Sequence, residues 1–164
     1  LFPYTTLFIS SATAASSGLP MGISTPGCLV GTDSKPTQSA VLLASTPGIF
    51  ATLGVEIVQG RPFTGSDIRT TQPVIVVSET AARSLFGTTD VIGRPISFQR
   101  SRWAGEFEHP VTSRLIIGVA ADTNTNGVGA YTGGAVYVPL DQHYEGKLVI
   151  SARTSDWKRF PFTP

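Results

Sequence analysis

The stretch "STPGIFATLGVEIVQGRPF", residues 45–63, decides the fold. It places two prolines and three glycines among regularly spaced apolar residues. Thr46 is a good N-cap residue, and Pro47 would stand at the first helical position, where its missing N–H costs nothing. Ile49, Phe50 and Leu53 fall on one face of a short helix. Gly54 suits the left-handed residue that closes it. In "VEIVQG", Val55 and Ile57 alternate with Glu56, which predicts a strand. Gly60 and "RPFTGSD" predict the turn that follows. The prolines and glycines therefore read as geometry, a stiff helix–strand unit, rather than as a reactive site.

The same grammar recurs downstream. "PVIVVS", residues 73–78, predicts a buried strand, and Ser78 caps a helix over "ETAARSLF" that Gly87 closes. Ala82 and Phe86, beside Ala81 and Leu85, form its apolar face. Further strands are predicted at 28–31, 39–45, about 95–99, 113–122, in "AVYVPL" and in "KLVISAR". Residues 11–27, rich in Ser, Ala, Gly and Pro, read as loop, as do 32–38 and 101–112. Short helices mixed with strands, without strict alternation, predict an α+β domain with a mixed sheet.

The chain has 164 residues, the size of one ordinary domain. Net charge is +1, which gives no electrostatic case for nucleic acid. The basic run "RSRW", Arg100 to Trp103, reads as a solvated loop. A lone cysteine, Cys28, allows no internal disulfide, and it has no basic neighbour to lower its pKa. No apolar run approaches the ~18 residues of a membrane helix. Residues 1–10, "LFPYTTLFIS", lack the positive start of a signal peptide and match a translated sequencing adapter at Leu1 to Phe8 and at Ser10, so they are set apart from the domain. Residues 154–164, ending "FPFTP", read as a truncated or frameshifted tail, which leaves 11–153 as the domain.

Candidate chemistry is sparse. "DTNTNG", residues 122–127, fits the start of a calcium loop, but the twelfth position is Gly133 instead of a bidentate Glu. A polar connection with Asn126-Gly127 at its turn accounts for it better. "GVGAYTGG" lacks the Lys-Ser/Thr end of a phosphate loop. Glu106, Glu108 and His109 lie close in sequence, but on a strand His109 would face away from the two glutamates, and His143 is remote. Ser78 lacks the flanking glycines of a nucleophile elbow. Trp103 and Trp157 read as packing residues. No set of residues assembles nucleophile, base and orienter, so the reading is non-catalytic, with no catalytic, cofactor-binding or metal-binding residue assigned and no cofactor.

The order of elements resembles the periplasmic core domain of MacB-type ABC transporter permeases, the FtsX-like group. A family block of the form V-S-P-G-Y-F-x-x-L-G-I-x-L-x-x-G-R-x-F is matched at Pro47, Gly48, Phe50, Leu53, Gly54, Gly60, Arg61 and Phe63. A second, V-I-V-N-E-x-x-A-R-x-x-F then P-I-G-x-x-I, is matched at Val76, Val77, Glu79, Ala82, Arg83, Phe86, Ile92, Gly93 and Ile96. Ser78 there replaces Asn, and Val91 replaces Pro. A third, around G-V-V-G-D-V and V-Y-x-P, is matched at Gly118, Val119, Asp122, Gly127, Val136, Tyr137 and Pro139. The "LVISART" strand completes the series, and the resemblance runs from about residue 28 to Arg153.

The resemblance implies a domain held between the first and second of four membrane helices, facing the periplasm or the outside of a bacterial inner membrane protein. It implies the rest of the permease and its ABC ATPase as partners, a permease homodimer or pseudo-dimer, and a periplasmic adaptor. ATP-driven movement would pass through the membrane to this domain. It also implies an N-terminal part of the domain that this chain lacks. The competing readings are a stand-alone periplasmic small-ligand or metal-binding module centred on Asp122 to Gly134, and a free-standing enzyme, which the missing catalytic set disfavours.

Overall fold

The computed structural model describes residues 10–18, 27–32, 35–100, 112–123, 134–143, 146 and 148–154. Among these, nine strands and two α-helices follow in the order β1 (Ser10–Ser16), β2 (Gly27–Thr32), β3 (Lys35–Ser45), α1 (Ile49–Leu53), β4 (Ile57–Gly60), β5 (Val74–Ser78), α2 (Glu79–Phe86), β6 (Pro95–Arg100), β7 (Thr112–Ala120), β8 (Ala135–Pro139) and β9 (Val149–Thr154). β3 pairs parallel with β8 and β5 parallel with β7, while the other pairings are antiparallel. The sheet is mixed, as the α+β reading expects.

β2 pairs with both β6 and β3, so the path β2-β6-β7-β5-β8-β3 closes into a ring. β1 and β9 extend from β3, and β4 pairs with the end of β7. Side chains alternate across the ring strands, and on β3, β5, β7 and β8 both faces carry apolar residues. The inner cluster takes Val30, Leu42, Ile75, Val77, Ile96, Ile116, Val136 and Val138, and α2 closes over it with Ala81, Ala82 and Leu85. The outer cluster takes Val41, Leu43, Val74, Val76 and Tyr137, covered by Ile49 and Phe50 of α1 and by Phe63. Every residue of β5 and β8 is buried, which explains their unbroken apolar sequence. The β5–β7 register shifts between Ile75 and Val76, so that Ile75 faces Ile116 but Val76 faces Gly118. That bulge lets both Ile116 and Val119 serve the inner cluster despite their odd spacing.

Local chemistry explains the helices. Gly54 and Gly87 close α1 and α2 in the left-handed conformation, and Ser78 caps α2 by accepting a hydrogen bond from Ala81 N. Three expectations need correction. Residues 10–16 form a strand, β1, because β9 supplies a full antiparallel partner for a segment of weak strand propensity. Lys35 to Gln38, expected as loop, belong to β3, where Gln38 pairs with Val30 and Lys35 with Thr32 of β2. Thr46 is not the N-cap of α1. Gly48 holds that position, and the Thr46 side chain binds β1 instead.

Candidate functional site

The connection after β7 carries the best motif-like match of the sequence, and both of its ends are held by hydrogen bonds. Asp122 Oδ1 accepts from Thr80 N at 2.9 Å, and Oδ2 accepts from the Thr80 hydroxyl at 2.8 Å. Thr80 is the second residue of α2, so the carboxylate satisfies an amide at the positive end of the helix dipole. Ser78, 2% exposed, accepts from Ala81 N at 3.2 Å and from Ala135 N at 3.1 Å. One hydroxyl thus caps α2 and staples the start of β8. Gly134 fits against this staple. A Cβ there would lie 2.6 Å from Ser78 Oγ and 2.7 Å from Ala81 N. On the outer face, the buried Tyr137 hydroxyl lies 3.4 Å from Thr123 Oγ1, and burial raises the phenol pKa. The Phe50 ring meets Tyr137 edge-on, with centroids 5.1 Å apart.

Asp122, the first ligand position of the calcium-loop match, already receives two hydrogen bonds at α2. Residues 124–133, which carry the rest of that match, lie outside the described residues, as do Glu106, Glu108, His109, Arg102, Trp103 and Trp157. Arg100 is described only as a backbone member of β6. Among the described residues no group of three or more His, Cys, Asp or Glu could hold a metal ion. Cys28 is 1% exposed, and burial pushes its thiol pKa up, which makes it unreactive in the folded ring. His143 follows the 3-10 turn at Leu140–Gln142, half-buried.

Two polar clusters escaped sequence reasoning. Arg61 grips Asp67 with two bonds, Nη1 to Oδ2 at 2.7 Å and Nη2 to Oδ1 at 2.8 Å. Thr64 N and its hydroxyl also donate to Asp67 Oδ2. The Arg61 guanidinium, then burial and Thr64, set the Asp67 carboxyl, and the net effect holds its pKa down at about 2. The signal was present in "TGSD", where Thr and Asp three apart form a local box. The second cluster is built on Arg114, 5% exposed, which donates to Val74 O, Gln142 Oε1 and Gln142 O. Gln142 in turn donates to Ile68 O and Gln72 O and accepts from Val74 N. Nothing local in the sequence marks that pair, because its members are 28 residues apart.

Among the described residues this arrangement holds segments in place. Comparison with known proteins supplies the identity. The family model described as MacB-like periplasmic core domain matches residues 9–158. The chain belongs to this family. The MacB-like core is also similar in structure to the periplasmic region of MacB from Actinobacillus actinomycetemcomitans, with a TM-score of 0.56 and 21% identity over 93% of this chain. It is similar to the extracellular domain of the noncanonic ABC-type transporter YknZ from Gram-positive bacteria, with a TM-score of 0.58 and 17% identity over 91% of this chain. The chain spans 61% of the MacB periplasmic region and 67% of the YknZ domain. Curated protein sequences contain no match. The mixed sheet with few short helices is the fold of this family.

Proposed function

We propose that this MacB-like core is the extracytoplasmic domain of an ABC transporter permease, that it passes ATP-driven motion from the membrane to substrate or partner proteins, and that it performs no catalysis itself. The observation that carries the reading is the family match over residues 9–158. The physical character of the domain supports it. The ring strands β3, β5 and β8 are buried on both faces over residues 40–45, 74–78 and 135–139, and such close-packed interiors transmit displacement instead of absorbing it. The polar clusters at Arg61–Asp67 and Arg114–Gln142 act as structural clips. No helix of the described residues is long and apolar enough to cross a membrane, so in this reading the membrane helices belong to the flanking permease. Its partners are then the rest of that permease, dimerised as two copies or two related halves, its ABC ATPase, and a periplasmic adaptor.

Reading the genomic DNA on both sides of the coding segment tests this. One membrane helix upstream and three downstream, in frame, is the expected result. A native start near residue 11 with a stop after Pro164 would overturn it.

A further inference from the structure

The first and last described strands lie side by side. Ser10 pairs with Thr154, and the ladder continues through Ala14–Ser151 to Ser16–Val149. This two-stranded ribbon joins the ladder of the ring where Ser16 faces Ser45, two residues with no solvent exposure. A two-stranded ribbon is weak by itself. Here it is fastened by residues 45–54. Thr46 N donates to Ala15 O at 2.9 Å, and Ala15 N donates to Thr46 Oγ1 at 3.0 Å. A Cβ on Gly48 would strike the Thr13 carbonyl oxygen, so the start of α1 rests directly on β1. At the other end of α1, Arg153 of β9 donates from Nε to Thr52 O at 3.0 Å. That places a cation at a helix C-terminus, where carbonyls lack partners. Between these ends, Ile49 and Phe50 are buried in the outer core. The short helix is a rivet, with its N-terminal end on β1, its C-terminal end on β9 and its apolar face in the ring.

We propose that residues 45–54 form the joint that delivers movement of the β1–β9 ribbon to the ring, with Thr46 as the positioning residue. The proposal rests on the transport reading, in which the chain enters and leaves this domain through membrane helices. Two measurements test it. The first is hydrogen exchange on this chain carrying Thr46→Val, with Thr46→Ser as the rescue and Arg153→Met as a second loosening variant. Exchange of β1 and β9 amides is expected to rise at least tenfold in Thr46→Val and to return in Thr46→Ser, while β5 and β8 stay unchanged. Ribbon amides that do not respond, or β5 and β8 accelerating by the same factor, would overturn the joint. The second places a spin label at Gly65→Cys, an exposed position with open space around it, in the intact permease with its ATPase. Thr46→Val is expected to preserve ATP hydrolysis and to reduce the ATP-dependent change at the label at least twofold. A full change in that variant overturns the joint and leaves the transport reading standing. No ATP-dependent change in the parent protein overturns the transport reading and, with it, the joint's role.

Discussion

Gly54 has φ +70, a conformation that a β-branched residue adopts only under strain. An added Cβ would also press on the Arg153 guanidinium, but that group is a flexible end and can move. Backbone strain therefore dominates. Gly54→Ala is expected to cost about 1 kcal/mol, and Gly54→Val about 2 kcal/mol. Thermal unfolding checks both, and an unchanged midpoint in Gly54→Val would contradict the assignment. At Asp67 the hydrogen bonds that Arg61 donates to the carboxylate govern. Its folded pKa, about 2, lies below the ordinary 3.8, so the carboxylate stabilises the fold above the ordinary value. That contribution is lost as pH falls through about 2. Arg61 is half exposed, which limits the pair to roughly 1 kcal/mol. Asp67→Asn is expected to lower stability at pH 7 and to narrow the gap to the parent between pH 4 and pH 2. Urea midpoints across that range measure it, and a gap independent of pH would show that the carboxylate charge contributes nothing.

Elements differ in how far local sequence determines them. α2 was legible, because Ser78, Gly87 and the apolar face at Ala81, Ala82 and Leu85 are all short-range signals. β5 was legible from the apolar run Val74 to Val77. β1 was not, since "SSATAAS" has little strand propensity and its partner lies more than 130 residues away in β9. Thr46 was misread for a related reason. Its hydroxyl is a competent cap, but β1 arrives from a distant part of the chain and takes it. The Gln142 cluster was equally hidden, because its value comes from three segments meeting. Gln142→Ala leaves Val74 N and Arg114 without that acceptor and Ile68 O and Gln72 O without that donor. The expected cost is about 2 kcal/mol. Chemical denaturation checks this, and a loss below about 0.5 kcal/mol, the level of an ordinary surface change, would mean that the cluster holds nothing.

At the scale of the molecule, strand order closes the ring and no local pattern reveals it. The sequence indicated a mixed sheet, but the pairing of β2 with both β3 and β6 depends on tertiary contacts. Those contacts make Cys28 a reporter of the whole. It sits in β2, 1% exposed, between its two neighbouring strands. Its modification by a thiol reagent is expected to wait for opening of the ring and to run at least about a thousandfold slower than for a free thiol. A time course in buffer and in denaturant checks this, and fast labelling in buffer would mean that the ring opens locally. The legible part of the candidate site was the Ser78 cap, while the bonds that join Asp122 to Thr80 of α2 were not foreseen. The functional account therefore rests on the domain moving as one body. The distance between spin labels at Gly65→Cys and Asp90→Cys, two exposed turns of the ring's surroundings, tests this most directly in the intact permease. The account expects that distance to be the same with and without ATP while the domain moves relative to the membrane, and an ATP-dependent change between the two labels would contradict it.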